Sequence, residues 1–242
     1  MGRALKGATV PVSMPQTAAA RVTTARSHPL QRVAVVPHHP PTAMAIPPLH
    51  PHEPEPRLPA CDTAELRPEW RQTLARIPGE GLKGEGFPHN VLGQLMHSPE
   101  LFGPFLEWWV TAKSAMALSV REQELVILRL ACLYNSDYVW KHHVPVGREF
   151  GIDDDELAAL RRADFGGFAP RERALLELSE QMLNLRTVTP GCWAEYGVGL
   201  QPREVIDLIG LVAQYVLFAL ANNVLQVPLE PPLAGEPGLE QG

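Results

Sequence analysis

A helical stripe of apolar side chains that includes a carboxylate constrains this chain more than any other feature. From Glu124, the spacing i, i+3, i+4 and i+7 leads to Ile127, Leu128 and Ala131, which is the pattern of one helix face. Such a face packs against a protein core, where an unpaired carboxylate is costly to bury. The sequence therefore predicts a helix here and a polar partner for Glu124.

The next helical segment contains a histidine in a similar position. Val139, His143, Val146 and Phe150 follow a comparable spacing, so the imidazole is also expected to point inward. A carboxylate and an imidazole on adjacent helices can form a proton-transfer pair, and they can equally form a core ion pair with a structural role only. Glu124 and His143 are therefore candidate catalytic residues, with both interpretations open.

Composition and charge favour a soluble globular protein. The chain has 45% hydrophobic residues, a net charge of −6 and a sequence pI near 5.8. It therefore lacks the basic character that non-specific nucleic-acid binding needs, and no nucleic-acid partner is predicted. The longest apolar segment, residues 205–220, is interrupted by Asp207 and Gln214, so we expect a buried helix and no membrane partner.

The cysteines and histidines indicate neither a disulfide framework nor a metal site. Cys61, Cys132 and Cys192 are odd in number and far apart, and a reducing cytoplasm is the expected location. His142 and His143 are adjacent and do not converge on one ion, and the segment contains no HxxxH or HExxH. The sequence predicts no metal and no cofactor.

The chain divides into a leader and a folded domain. Residues 1–56 are rich in proline and lack helical or strand periodicity, so they are predicted to be a disordered leader. The first 50 residues contain basic residues but no Asp or Glu, as in transit peptides, yet their prolines would break an amphipathic helix. Translation starting at Met14 or Met44 is an alternative account. Residues 57–242 are predicted to form one helical domain.

Capping signals predict an all-α fold for that domain. A first helix is expected from Asp62 or Thr63 through Arg76, and Ser119 with Glu122 matches a capping box for the helix of Glu124. The other predicted helices are residues 91–97, a helix capped by Ser98, a helix that begins at Asn135 or Ser136 and ends at Gly151, Pro170–Leu185 and Pro202–Leu225.

Several short motifs occur in a fixed order over residues 56–230: PRLP, HSPELFGPFLEWW, LSVREQEL, NSDYVWKHH and NNVLQVPLE. Together they resemble the carboxymuconolactone decarboxylase family, which includes the alkylhydroperoxidase D-like proteins. The resemblance implies a compact multi-helix alkylhydroperoxidase D-like fold. It also implies assembly into a trimer or hexamer. The C-terminal helix agrees with a homo-oligomer, because it is apolar around nearly its whole circumference.

In the peroxidase branch of that family, a glutamate precedes a Cys-x-x-Cys-x-x-x-His motif whose thiols cycle through a disulfide. The resemblance matches the glutamate to Glu124 and the histidine to His143. The two cysteine positions fall on Ser136 and Val139, so the thiols are absent. The acid–base half of that site is retained, and thiol peroxidase activity is not expected.

In the decarboxylase branch, Tyr138, Trp140 and His143 keep their places, whereas a glutamate that often precedes the tryptophan is Val139 here. The resemblance implies that Tyr138 and Ser136 orient a substrate oxygen. The full set of candidate substrate-binding residues is Ser136, Tyr138, Trp140 and His142.

The predicted function is cofactor-independent acid–base chemistry, a decarboxylation or isomerisation, on a small lactone or carbonyl compound. The chain would then be an enzyme of carboxy-lyase or isomerase type. Two alternatives remain open: an alkylhydroperoxidase-like or peroxiredoxin-like antioxidant relative, and a non-catalytic binding or scaffold protein that keeps only the helical core.

Overall fold

The computed structural model describes residues 55–77 and 86–239, and every regular element in those residues is helical. The predicted all-α class is confirmed. The first helices are α1 (Pro68–Leu74), α2 (Asn90–Leu95), α3 (Pro99–Ala115), α4 (Val120–Leu133) and α5 (Asp137–Glu149). They are followed by α6 (Asp154–Arg162), α7 (Pro170–Leu185), α8 (Pro190–Cys192), which continues into a π turn at Trp193–Gly197, and α9 (Pro202–Leu225). The predicted leader lies outside the described residues up to position 54.

Helix α4 lies at the centre of the domain. It packs against α5, α6, α7 and α9, and ten of its 14 residues are buried. Its start is fixed by the predicted capping box, in which Ser119 Oγ accepts from the backbone N–H of Glu122 and the Glu122 carboxylate accepts from that of Ser119. A helix buried on nearly all sides must pair each polar side chain that it contains.

The turn between α4 and α5 brings two helix faces together. Asn135 adopts the left-handed conformation with φ of 48°, which asparagine tolerates better than most residues. The chain then reverses, and α5 runs back along α4. At Gly147 the helices are so close that a Cβ atom would lie 3.2 Å from the Leu128 and Ile152 side chains.

Two local predictions were wrong, and one helix was missed. The first helix does not run from residue 62 or 63 to 76, because proline disfavours the helical conformation of the residue before it. Arg67 is extended (ψ 148°), and a 3₁₀ turn at Thr63–Glu65 precedes α1. Phe150 is exposed and does not continue the buried stripe of α5. Helix α6 was not predicted, although Asp153 and Glu156 form a capping box at its start.

Helix α9 has one buried face and one exposed apolar face. Leu208, Leu211, Tyr215 and Phe218 are buried. Among the described residues α9 is the helix long and apolar enough to cross a membrane, by length and composition only, and core helices of soluble proteins meet the same criteria.

A hydrogen bond connects the first described residues to the end of α9, since the Arg57 N–H donates to the Leu225 carbonyl at 2.9 Å.

Candidate functional site

Glu124 and His143 are in direct contact across the α4–α5 interface. The distance from His143 Nδ1 to Glu124 Oε2 is 2.7 Å. Glu124 is buried and His143 is half-buried. The predicted partner of the buried carboxylate is thus the predicted histidine.

This contact determines which ring nitrogen of His143 can react. A carboxylate accepts hydrogen bonds, so Nδ1 carries the proton that it donates to Glu124. In the neutral imidazole the lone pair then resides on Nε2. A carboxylate behind the ring fixes its orientation and stabilises the imidazolium that forms when Nε2 takes up a proton. In this arrangement Nε2 is the ring nitrogen that can accept a proton.

A small pocket adjoins this pair. It is open to solvent on one side and has a volume of about 70 Å³. Trp109 forms part of its wall, and the Lys113 ammonium lies 5.3 Å from the centre of that indole ring. The residues that line the pocket are His89, Val91, Trp109, Lys113, Tyr138, Val139, His142, His143, Val146, Tyr215, Phe218 and Asn222.

Asn222 contributes polar groups to the pocket. The residue is 3% exposed, and neither its amide nitrogen nor its amide oxygen has a hydrogen-bond partner among the described residues. Buried amides without partners are rare in folded proteins, because each missing hydrogen bond costs about 1–3 kcal/mol. A polar ligand in the pocket would satisfy both groups.

A second polar cluster adjoins the pocket, and its members His89, Tyr138 and His142 are among the lining residues. Tyr138 Oη donates to Glu230 Oε1 at 2.8 Å, and the backbone N–H of Asn90 donates to the same oxygen at 2.5 Å. His142 Nε2 lies 2.8 Å from Glu230 Oε2. His89 is next to them, with 5.3 Å between its ring centroid and that of His142. The cluster joins α5 to the segments before α2 and after α9.

The surroundings of this cluster shift two pKa values in opposite directions. Burial raises the pKa of Glu230, but the adjacent imidazole of His142 and the donors Asn90 N–H and Tyr138 O–H outweigh it and hold the pKa at about 2. Burial, followed by the charge of Glu230 and the hydrogen bond to it, raises the pKa of Tyr138 well above its ordinary value. Glu230 is therefore a carboxylate, and Tyr138 a neutral phenol, at any physiological pH.

The structure brings some of the predicted substrate-binding residues together and separates others. Tyr138 and His142 line the pocket beside His143. Ser136 is fully buried at the start of α5 and Trp140 is 1% exposed, with the Arg161 guanidinium 4.6 Å from the centre of its ring. Neither of these two side chains is among those that line the pocket, because both point into the core.

His89, Lys113 and Glu230 were not predicted from the sequence, whereas Asn222, near the end of the last helix, was expected either to hydrogen-bond a ligand or to cap that helix. Asn222 and Glu230 belong to the NNVLQVPLE motif that carries part of the family resemblance, and that motif was the available signal. His89 and Lys113 belong to no recognisable pattern in the chain. They reach the pocket only through tertiary packing.

The thiols are not arranged for redox chemistry. All three cysteines are free. Cys132 is buried, and burial is the largest cause that raises the pKa of its thiol to about 11. Since the thiolate is the nucleophile, this residue is inert near neutral pH. The structure therefore agrees with the sequence in offering no dithiol pair.

The sequence was also compared with protein families. Residues 99–181, which include both Glu124 and His143, match the carboxymuconolactone decarboxylase family. The matched segment is 83 of the 242 residues. Among curated proteins, none matches the chain.

Several solved structures share the fold of this chain. An uncharacterised peroxidase-related protein with an alkylhydroperoxidase AhpD core from Ralstonia eutropha superimposes with a TM-score of 0.61 at 17% identity, covering 76% of this chain and 96% of that one. A peroxidase-related protein from a Silicibacter species gives 0.57 at 14% identity, covering 83% and 98%. The apo debrominase Bmp8 gives 0.58 at 12% identity, covering 72% and 91%. At these identities the similarity establishes the fold alone.

Proposed function

We propose that this protein catalyses acid–base chemistry, a decarboxylation or isomerisation, on a small lactone or carbonyl compound. The observation that carries the proposal is the 2.7 Å contact between His143 Nδ1 and Glu124 Oε2 at the wall of the pocket. General acid–base assistance by a positioned histidine contributes about 10²–10⁴ in rate. The reaction needs no thiol, which agrees with the cysteines of this chain.

His143 acts as the proton carrier. Its Nε2 removes a proton from carbon next to the substrate carbonyl in an isomerisation, or returns one to the carbon that loses CO₂ in a decarboxylation. Glu124 keeps Nδ1 protonated and stabilises the imidazolium. Glu124 is therefore a positioning residue that acts through His143.

Asn222 and Lys113 supply the groups that such a substrate needs. The Asn222 N–H₂ group can donate to a carbonyl oxygen, which gains negative charge as the enolate forms. The Lys113 ammonium on the pocket wall can pair with a substrate carboxylate. The apolar side chains of Trp109 and Phe218 complete a site that fits a compact, partly unsaturated acid.

An antioxidant peroxidase function is less well supported. That chemistry requires a pair of reactive thiols, whereas Ser136 and Val139 occupy the positions to which the resemblance assigns them. The remaining cysteine of the segment, Cys132, is buried and has a raised pKa. A non-catalytic binding protein would keep the pocket but show no turnover, and the same experiment separates it from an enzyme.

The experiment incubates the full chain in D₂O with a panel of small lactone acids and β-keto acids and follows them by proton NMR. The proposal predicts exchange of the proton next to the carbonyl, or release of CO₂, for at least one member. The His143→Asn variant should bind that compound without either reaction. Binding by the wild type with neither exchange nor CO₂ release from any bound member would contradict an enzymatic function.

A further inference from the structure

His89, His142 and Glu230 come from three distant parts of the chain and meet at one point. One potential metal-ligating atom from each lies within 4.8 Å of the others, and all three residues are half-buried. A zinc ion with bonds of about 2.1 Å holds its tetrahedral ligands about 3.4 Å apart. The separation of His142 Nε2 and Glu230 Oε2 is 2.8 Å, shorter than that value, so a small movement of these side chains would accommodate the ion.

His142 is oriented as metal-bound histidines usually are. Its Nδ1 lies 2.8 Å from the backbone carbonyl oxygen of Tyr138, which can only accept a hydrogen bond. Nδ1 therefore carries a proton, and Nε2 is the nitrogen that faces the cluster, where a metal ion can replace its proton. A backbone carbonyl behind one ring nitrogen is the common outer-shell partner that fixes the tautomer of a ligating histidine.

Hydrogen bonds hold one carboxylate oxygen of Glu230, and the other oxygen faces the cluster. Tyr138 O–H and Asn90 N–H both donate to Oε1, so the carboxylate cannot rotate freely. Oε2 faces His142 Nε2, yet both atoms are buried and neither has an aligned hydrogen bond among the described residues. At this distance the two atoms need a positive charge between them, which either a proton on Nε2 or a metal ion bound to both atoms supplies.

We infer that His89, His142 and Glu230 form a binding site for a divalent transition metal ion, with zinc as the best fit. Two imidazoles and one carboxylate are a ligand set found in catalytic zinc sites, where a fourth position is left for water or substrate. His89 and His142 line the pocket, so a fourth position on their side of the ion would face a ligand there. A metal bound there would act as a Lewis acid toward a substrate oxygen. The inference does not depend on the acid–base function.

The test is metal binding to the purified full chain after treatment with a chelator. Isothermal titration with Zn²⁺ should show one site per chain, and Co²⁺ should give the visible absorption bands of a low-coordinate nitrogen and oxygen site. His142→Ala and Glu230→Gln should each weaken Zn²⁺ binding by about 100-fold or more, since each removes one of three ligands. Circular dichroism would confirm that each variant is folded.

Two control variants distinguish Zn²⁺ binding at this site from binding by other histidines. His97→Ala removes an exposed histidine whose Nε2 contacts the Pro59 carbonyl, and it should leave binding unchanged. The joint replacement of His38, His39, His50 and His52 by alanine tests adventitious binding by the N-terminal segment. The inference is overturned if the wild type binds no Zn²⁺ at micromolar concentration, if the segment variant abolishes binding, or if His142→Ala and Glu230→Gln bind as tightly as the wild type. His143→Asn should retain Zn²⁺ binding, so loss of activity and loss of metal are distinguishable.

Discussion

His143 Nδ1 and Glu124 Oε2 lie 2.7 Å apart, on helices that follow each other in the chain. The short turn between α4 and α5 makes the two helices antiparallel neighbours, so the apolar stripes of both face the same interface. One ionisable group on each stripe then forms a buried pair at the edge of a pocket. A solvent-exposed pair would contribute about 0–1 kcal/mol to stability, too little to hold the imidazole in one orientation.

The unfolding free energy should depend on pH through Glu230. Its pKa is about 2 in the folded protein, against an ordinary value of 4.5. Because the folded pKa is the lower one, the stabilisation is complete above the unfolded value and is lost as pH falls toward about 2. Glu230→Gln should flatten the decline of stability from about pH 5 to pH 3, as measured by urea unfolding. An unchanged slope in the variant would contradict the assigned pKa.

Arg129 should be important for stability. Its guanidinium binds both oxygens of Glu180, at 2.6 and 2.9 Å, and donates to the Leu160 carbonyl at 2.8 Å. Arg129→Leu should cost about 3–5 kcal/mol of unfolding free energy, because Glu180 would lose its partner at a mostly buried position. The matched control is Arg76→Leu in the Arg76–Glu107 pair, whose side chains are 50% and 52% exposed. That change should cost at most about 1 kcal/mol, and equal losses in the two variants would contradict the argument.

The helices of the core were predictable because their patterns are local. The bounds of Pro170–Leu185 and Pro202–Leu225 follow from a proline at the first position and the end of the apolar period, and the capping box of Ser119 is a four-residue signal. The predicted start of the first helix was wrong because Pro68 disfavours the helical conformation of the residue before it, despite the helix propensity of the surrounding residues. Helix α6 was overlooked despite its clear cap at Asp153.

The candidate site was only half predictable. Glu124 and His143 are close in sequence, so helix periodicity was enough to pair them. His89 and Glu230 are brought next to His142 by packing between distant parts of the chain. Such contacts cannot be predicted from the spacing of residues in the sequence. No residue spacing predicted a metal site, and the absence of HExxH says nothing about ligands that come from separate elements.

Self-association remains a prediction, and the structure adds a surface for it. Exposed residues recur with helical spacing along one face of α9: Ile206, Ile209, Ala213, Leu217, Leu220 and Val224. An apolar stripe of this kind is typical of an interface. We expect a homo-oligomer, a trimer or hexamer, formed through this face.

Light scattering on the purified chain tests this expectation. The wild type should elute with the mass of a trimer or hexamer at micromolar concentration. The double variant Ile209→Lys, Leu217→Lys should shift it toward the monomer while the helical circular dichroism signal is kept. Val198→Lys, at an exposed position outside α9, is the control and should not change the mass. A wild-type monomer would refute the prediction.

The central claim is that Glu124 and His143 together move one proton. The most direct measurement is the rate of proton exchange or CO₂ release for one compound, compared among the wild type, Glu124→Gln, His143→Asn and the His97→Asn control. We predict rates about 10²–10⁴ lower in the first two variants, with the compound still bound, and an unchanged rate in the control. If Glu124→Gln and His143→Asn turn over as fast as the wild type, the pair is a structural contact and the proposed mechanism is wrong.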